Sequence, residues 1–123
     1  MVKLMKENKL IDLSKAFAVD TIRLCERLQK SSGLFPLINQ FLKSGTSIGA
    51  NIHEANYAAS RADFINKLQI ALKECYETDY WLGLFVETDM ISKDEYSDLY
   101  SRCSKIRTML IASLNTAKTR MQS

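Results

Sequence analysis

The run from Ser60 to Val86 constrains the fold more than any other part of the chain. It opens with a serine followed three residues later by an acid, Asp63, a pattern that caps the free amides at a helix start. Alternating steps of four and three then place a further set of residues on one face of a helix: Phe64, Leu68, Ala71, Cys75, Thr78, Leu82 and Phe85. Other apolar residues flank this stripe, so we expect a long central helix that packs against several neighbours.

The remaining sequence predicts three more helices. The first should cover residues 8–29 and end at the Ser31-Ser32-Gly33 segment. The fourth should begin at a second capping box, Ser92 to Glu95, and fray from Thr119 to Ser123. Their inner stripes are Leu10, Leu13, Phe17, Thr21, Leu24 and Leu28 in the first helix, and Tyr96, Leu99, Cys103, Ile106, Leu110, Ser113 and Ala117 in the fourth.

The second helix should begin near Pro36, whose missing N–H costs nothing in a first turn, and break near Ala59. Its inner stripe is Phe41, Gly45, Ile48, Ile52, Ala55 and Ala59. A glycine inside a helix costs about 1 kcal/mol relative to alanine. We therefore expect Gly45 and Gly49 to allow close packing against a neighbouring helix.

The whole pattern predicts an all-α protein in which residues 1–123 form one antiparallel, up-down-up-down four-helix bundle. The period-two alternation of strands is absent. No apolar run reaches the roughly 18 residues of a membrane span, and the N-terminus lacks a secretory signal, so we expect a cytoplasmic protein without a membrane partner. Cys25, Cys75 and Cys103 have no CxxC spacing and should be small buried residues.

Two rows of side chains flank the core stripes of the second and third helices. Ser47, Asn51 and Glu54 lie on the second helix, and Glu74 and Glu77 lie on the third. If the rows face each other, they form a polar cluster that could serve as a carboxylate acid/base site or a metal site. Alternatively, cationic or backbone donors hold the carboxylates and fix the helix register.

The structural interpretation of this cluster is the better supported. A di-iron bundle uses Glu-x-x-His pairs from two helices, whereas this chain has a single histidine, His53, and no such pair. His53 also lacks a fixed nucleophile for a triad, and we expect it at the surface or an interface. We therefore predict a non-enzymatic protein with no cofactor and no metal, and the alternative is a carboxylate-based enzyme at Glu54, Glu74 and Glu77.

Charge is distributed unevenly along the chain. Residues 74–98 hold eight acids and one base, a balance of −7. Because the whole chain has a net charge of +3, the other residues together carry +10. The bundle topology would collect a set of bases at one end: Lys3, Lys6, Lys9, Arg61, Lys67, Lys118 and Arg120. The fourth helix beyond Asp98 has no acid and adds Arg102, Lys105 and Arg107, and we predict that both groups bind the phosphates of RNA or DNA. The alternatives are an ordinary solvated surface, and a protein adaptor whose acidic tip, Glu87 to Asp98, docks a basic partner.

Ile70, Trp81 and Leu84 lie off the main stripe of the third helix. Either the bundle wraps this helix, or a partner subunit covers these residues. The two explanations remain open on physical grounds alone.

The segment Ser47-Ile48-Gly49-Ala50-Asn51-Ile52-His53-Glu54-Ala55, with residues 60–64, 68, 70–74, 77–78 and 80–82, resembles a bacterial four-helix bundle family. This is the family first noticed in intervening sequences of 23S ribosomal RNA, to which the accessory protein of diversity-generating retroelements looks related. The resemblance implies a four-helix protomer that often assembles into a homopentamer, with no assigned enzymatic activity. It favours Ile70, Trp81 and Leu84 as the oligomer interface. In the retroelement branch it also implies a basic surface that binds nucleic acid and a reverse transcriptase. Gly49 and Ala55 depart from many relatives, which have Pro and Gly there.

Overall fold

A computed structural model shows four α-helices and describes residues 7–122, with the side chains of residues 9–121. The helices are α1 (Glu7–Ser31), α2 (Phe35–Ala55), α3 (Arg61–Glu87) and α4 (Lys93–Gln122). The described part of the chain contains no strand. The predicted all-α class is therefore confirmed.

Local capping explains where the helices begin. The Ser60 hydroxyl accepts a hydrogen bond from the Asp63 amide at 3.1 Å, and the Ser92 hydroxyl accepts one from the Glu95 amide at 3.0 Å. Pro36 occupies the first turn of α2, as expected. Each of these signals is visible in the sequence and is confirmed.

The predicted helix ends need two corrections. Helix α2 ends at Ala55, so Ala59 lies in the connection and is exposed, while Ala58 is buried in its place. Helix α4 stays helical to Gln122, so the prediction that it frays from Thr119 is wrong for residues 119–122. The sequence gives only a weak signal for the end of a helix when the helix has no Gly or Pro near that end.

Contacts between helices establish the antiparallel order. On α1 and α4, Arg27 meets Glu95 and Asp20 meets Arg102, so residue numbers rise along one helix as they fall along the other. Helices α2 and α3 show the same relation in two contacts, Ser44 with Thr78 and Glu54 with Lys67. Among the described residues, no Cα atom of α1 lies within 8 Å of α3, and none of α2 lies within 8 Å of α4. The helices therefore form a square, up-down-up-down bundle.

Helix α3 supplies the centre of the core. Every position of its predicted stripe is buried, including the polar Thr78, whose hydroxyl donates to the Ser44 hydroxyl at 3.0 Å inside the bundle. That hydrogen bond satisfies two buried polar groups and links α2 to α3. The inner stripe of α4 is also buried apart from the half-buried Tyr96 and Ser113.

Gly45 and Gly49 lie where α1 and α2 approach most closely. A Cβ atom on Gly45 would lie 2.7 Å from Cγ2 of Thr21, and one on Gly49 would lie 3.3 Å from the backbone oxygen of Ser14. The expectation that these glycines serve close packing is confirmed.

Candidate functional site

The antiparallel order brings the start of α1, the α2–α3 connection and the end of α4 to one end of the bundle. We call this end the basic pole, and its described cations are Lys9, Arg61, Lys67, Lys118 and Arg120. Lys3 and Lys6, which the sequence assigns to the same end, lie outside the described residues. The opposite end, the acidic pole, exposes the carboxylates of Glu87, Asp89 and Asp94.

Ion pairs divide the predicted nucleic-acid-binding residues into two groups. Lys67 pairs with Glu54 at 3.1 Å, and Arg102 pairs with Asp20 at 2.8 Å. Arg107 also has a carboxylate partner, described below. These three cations have less charge to offer a phosphate, because each already faces a carboxylate.

A second group of predicted cations faces water. Lys9, Lys105 and Lys118 are exposed, and within the described side chains none of them forms an ion pair. Lys9 and Lys118 belong to the basic pole, whereas Lys105 lies midway along α4. After Asp98 the sequence contains no acid, so the surface of α4 from there to the basic pole carries only positive charge of its own.

The residues of the predicted polar cluster are spread along the bundle and do not gather at one point. Asn51 donates to the backbone oxygen of Ser47 at 2.8 Å, and Glu77 accepts a hydrogen bond from the Trp81 indole at 3.3 Å. Lys67, which holds Glu54, lies seven residues from Glu74, about 10 Å along the helix axis. Burial and the nearby charge of Glu77 raise the pKa of Glu74.

Within residues 9–121, no group of three or more His, Cys, Asp or Glu side chains is placed to hold a metal ion. The structure brings Glu74 close to Glu77 and pairs Glu54 with a lysine instead. His53 is exposed, with its ring centroid 5.3 Å from that of Tyr57. The geometry therefore gives no support to a three-carboxylate reaction centre.

The three cysteines are free and buried. Burial raises the pKa of the Cys25 thiol to about 11, so this thiol stays protonated at neutral pH. The Cys103 thiol donates to the backbone oxygen of Cys75 at 3.6 Å. A side-chain hydrogen bond with Cys75 and burial raise the pKa of the Cys103 thiol as well. The expectation that these residues pack as small apolar side chains is confirmed.

The predicted oligomer interface is half-buried in the single chain. Ile70, Trp81 and Leu84 each keep part of their surface in contact with water, and Trp81 packs partly against the core. The bundle therefore covers this side of α3 only in part, which leaves apolar surface for a further contact.

Sequence reasoning missed one arrangement on the seam between α3 and α4. Asp79 and Arg107 form an ion pair there, and each side chain is only 15% exposed. The Arg107 guanidinium also lies 5.3 Å from the ring centroid of Tyr76 and 5.8 Å from that of Tyr100. Burial raises the pKa of Asp79, and the charge of Arg107 offsets part of that increase.

The signal for this pair lies in the positions of its members. Asp79 follows Thr78, and Arg107 follows Ile106, so each comes directly after a residue of a core stripe. Charged residues at the edge of an apolar stripe are expected to be partly buried and therefore paired. The pairing partner itself depends on how α3 and α4 align, which the sequence patterns do not specify.

The described helices include none that is both long enough and apolar enough to cross a membrane. A comparison with curated protein sequences gives no match.

A solved structure with a similar fold is the crystal structure of a protein of unknown function from the S23 ribosomal protein family of Bacteroides thetaiotaomicron VPI-5482. It is 44% identical to this chain, with a TM-score of 0.85, and the match covers 90% of this chain and 99% of the other. The model of the 23S rRNA-intervening sequence protein family matches residues 6–112. The chain therefore belongs to the 23S rRNA-intervening sequence protein family.

Proposed function

We propose that this protein is a non-enzymatic, cytoplasmic four-helix bundle that self-assembles and binds nucleic acid, RNA above all, through its basic pole and the adjoining surface of α4. The observation that carries the proposal is the separation of charge between the ends of the bundle. Lys9 and Lys118 are exposed at one pole, while Glu87, Asp89 and Asp94 are exposed at the other. Such a field attracts the phosphates of a nucleic acid to one end of the molecule.

The relatives support this choice of ligand. The family takes its name from intervening sequences of 23S rRNA, and the solved neighbour is assigned to a ribosomal protein family. Both names concern RNA, the polyanion that a basic pole fits. Assembly would strengthen the binding of RNA, because each added protomer contributes another basic pole to the same particle.

The double variant Lys9→Gln/Lys118→Gln should weaken binding to a generic RNA strand. Each lysine that contacts a phosphate releases a counterion, so the slope of log affinity against log salt should become shallower by about 1 per lysine removed. Fluorescence anisotropy titrations of labelled RNA at several salt concentrations measure that slope.

The matched control is Lys30→Gln/Lys93→Gln. These two lysines are exposed near the acidic pole, and their removal changes the net charge by the same amount. The control should leave the salt slope close to that of the wild type. Equal losses in the two double variants would show that net charge alone matters, and the basic pole would then not be the site.

We further propose that the half-buried residues Ile70, Trp81 and Leu84 lie between subunits of a homo-oligomer, with five protomers as the expected number. Trp81→Ala should weaken assembly, since a tryptophan at the centre of an interface contributes about 2 kcal/mol or more to association. Size-exclusion chromatography with light scattering should give about five times the protomer mass of 14.0 kDa for the wild type and a smaller particle for the variant.

Tyr57→Ala provides the control for assembly, because Tyr57 is an exposed aromatic residue in the α2–α3 connection, at the opposite end of the bundle from Trp81. It should assemble like the wild type. A wild-type protein that stays monomeric at micromolar concentration would rule out the self-assembly proposal.

A second candidate function uses the acidic pole. Its exposed carboxylates, Glu87, Asp89 and Asp94, could dock a basic protein partner, whereas Glu95 already pairs with Arg27 at 2.6 Å. The triple variant Glu87→Gln/Asp89→Asn/Asp94→Asn would then lose a co-purifying partner that the wild type retains. An unchanged set of bound proteins would count against this candidate.

A further inference from the structure

The outward-facing side of α3 carries polar and aromatic side chains at steps of three and four. The exposed residues of this stripe are Asn66, Gln69, Lys73, Tyr76 and Tyr80. The stripe contains no acid between Asp63 and Glu87. Tyr76 is 54% exposed and Tyr80 is 61% exposed, so both rings lie largely in water.

Helix α4 adds a third ring to the same side of the molecule. Tyr100 is 38% exposed, and the Arg107 guanidinium lies near both the Tyr76 and the Tyr100 rings. One face of the Tyr100 ring stacks on Tyr96, with 5.5 Å between the ring centroids, so a base could use only the other face.

Asp79 neutralises the charge of Arg107 and holds it in place. Arg107 therefore fixes the positions of two rings through cation–π contacts. Lys73 is exposed beside them, and its charge also acts on the neighbouring Glu74 carboxylate, where it offsets part of the rise in pKa that burial causes.

We propose that this tyrosine face (Asn66, Gln69, Lys73, Tyr76, Tyr80 and Tyr100) binds single-stranded nucleic acid by stacking unpaired bases on its rings. This inference rests on the proposed function and assigns the form of nucleic acid that the protein takes. Proteins that bind single strands combine cations with aromatic side chains on which the bases stack. Lys73 would contact a phosphate, and the amides of Asn66 and Gln69 can donate to and accept from base edges.

The spacing of the rings agrees with an extended strand. Tyr76 and Tyr80 are one helical turn apart, about 6 Å along the axis. This is nearly twice the 3.4 Å rise per nucleotide of a stacked strand. Bases that have been pulled apart, as in an extended single strand, could therefore each meet a ring.

The tyrosine face meets the proposed subunit surface at Tyr80, whose ring centroid lies 5.2 Å from that of Trp81, whereas Tyr76 lies away from it. Tyr76 and Trp81 are five residues apart, about 140° around the axis of α3. Trp81 lies on the side where Glu74 feels the charge of Lys43 on α2, whereas Tyr76 lies toward Arg107 on α4. Assembly through Trp81 would therefore leave Tyr76 and Tyr100 open, while Tyr80 would lie at the edge of the interface.

The test uses the full-length protein and four labelled probes of equal length: a single-stranded RNA, a single-stranded DNA, an abasic deoxyribose-phosphate strand and a DNA duplex. The wild type should bind both single strands more tightly than the abasic strand. Tyr76→Ala/Tyr100→Ala should lose roughly 5- to 100-fold per ring toward the single strands. Its affinity for the abasic strand and the duplex should not change, because stacking requires accessible bases.

Two control variants separate stacking from damage to the fold. Tyr76→Phe/Tyr100→Phe keeps both rings and should bind like the wild type. Phe35→Ala removes an exposed ring at the acidic pole and should have no effect on binding. Far-ultraviolet circular dichroism of each variant should match that of the wild type.

The outcomes distinguish this inference from the proposed function. Equal wild-type affinity for base-containing and abasic strands would overturn stacking and leave the basic pole as the binding site. Loss of single-strand binding in Lys9→Gln/Lys118→Gln, with no effect of the tyrosine variants, would do the same. Failure to bind any probe at low salt would overturn both proposals. A tyrosine variant that changes the light-scattering mass instead of nucleic-acid affinity would make this face a protein interface and overturn the inference.

Discussion

Arg107→Met should destabilise the protein by about 3–5 kcal/mol, which is the usual cost of removing one partner from a buried ion pair. Asp79 would keep a carboxylate that is only 15% exposed, with no cation to balance it. One of its oxygens, Oδ1, is buried without a hydrogen-bond partner among the described side chains. Once Arg107 is removed, the remaining contribution that lowers the pKa of Asp79 is a side-chain hydrogen bond with Cys103. Chemical denaturation at pH 7, followed by circular dichroism, measures the change in unfolding free energy.

The double variant Asp79→Leu/Arg107→Met provides the comparison. Replacing both partners with apolar side chains removes the unpaired charge, so most of the lost stability should return. A double variant that is no more stable than Arg107→Met would show that the loss comes from the Arg107 contacts with Tyr76 and Tyr100 and not from the carboxylate.

The pH dependence of Arg107→Met gives a second measure of the same effect. Burial raises the pKa of Asp79 above its unfolded value, so between those two values the native state holds more protons than the unfolded state. Stability from this group is therefore greatest at low pH and declines as the pH rises through the native pKa. Loss of Arg107 raises the native pKa of Asp79 further, so the stability from this group continues to fall up to a higher pH. The variant should therefore be less destabilised near pH 4 than at pH 7. Adding Asp79→Asn should remove this difference.

The fold could be predicted almost entirely from local patterns. The stripe from Phe64 to Phe85 determines which side of α3 is buried, and Ser60 and Ser92 mark helix starts by capping chemistry that involves only neighbouring residues. Antiparallel order then follows from short connections. These features depend on the sequence within one or two helical turns, which is why they could be derived without coordinates.

The candidate site was harder to predict because it depends on the alignment of separate helices. The sequence places Lys67, Arg102 and Arg107 among the phosphate-binding cations, and the structure gives each of them a carboxylate partner. Glu54, which was expected near Glu74, meets Lys67 instead. A shift of one turn between neighbouring helices would exchange such partners without altering either core stripe, so periodicity alone cannot assign them.

The tyrosine face shows the same limit. Tyr76 and Tyr100 are 24 residues apart in the sequence, and only the packing of α3 against α4 brings both close to Arg107. Functional surfaces built across two helices therefore need the structure, even when each helix is predicted correctly.

Gly45→Ala should destabilise the protein by up to about 2 kcal/mol, although alanine is the better helix former by about 1 kcal/mol. The new Cβ atom would lie 2.7 Å from Cγ2 and 2.9 Å from Oγ1 of Thr21. Thr21 is fully buried and β-branched, so it cannot rotate away without strain, and overpacking of this kind costs about 1–3 kcal/mol. Thermal and chemical denaturation of the variant measure the net effect.

Gly83→Ala is the matched control, because a Cβ atom on Gly83 meets no heavy atom within 4 Å. It should stabilise the protein by about 0.5–1 kcal/mol through helix propensity alone. In a Thr21→Ala background the obstruction at Gly45 disappears, so Gly45→Ala should become neutral or stabilising there. The difference between the two backgrounds measures the coupling between positions 21 and 45. If Gly45→Ala stabilised the wild type as much as Gly83→Ala, then α1 and α2 would not approach closely at this point, and the glycine would have no packing role.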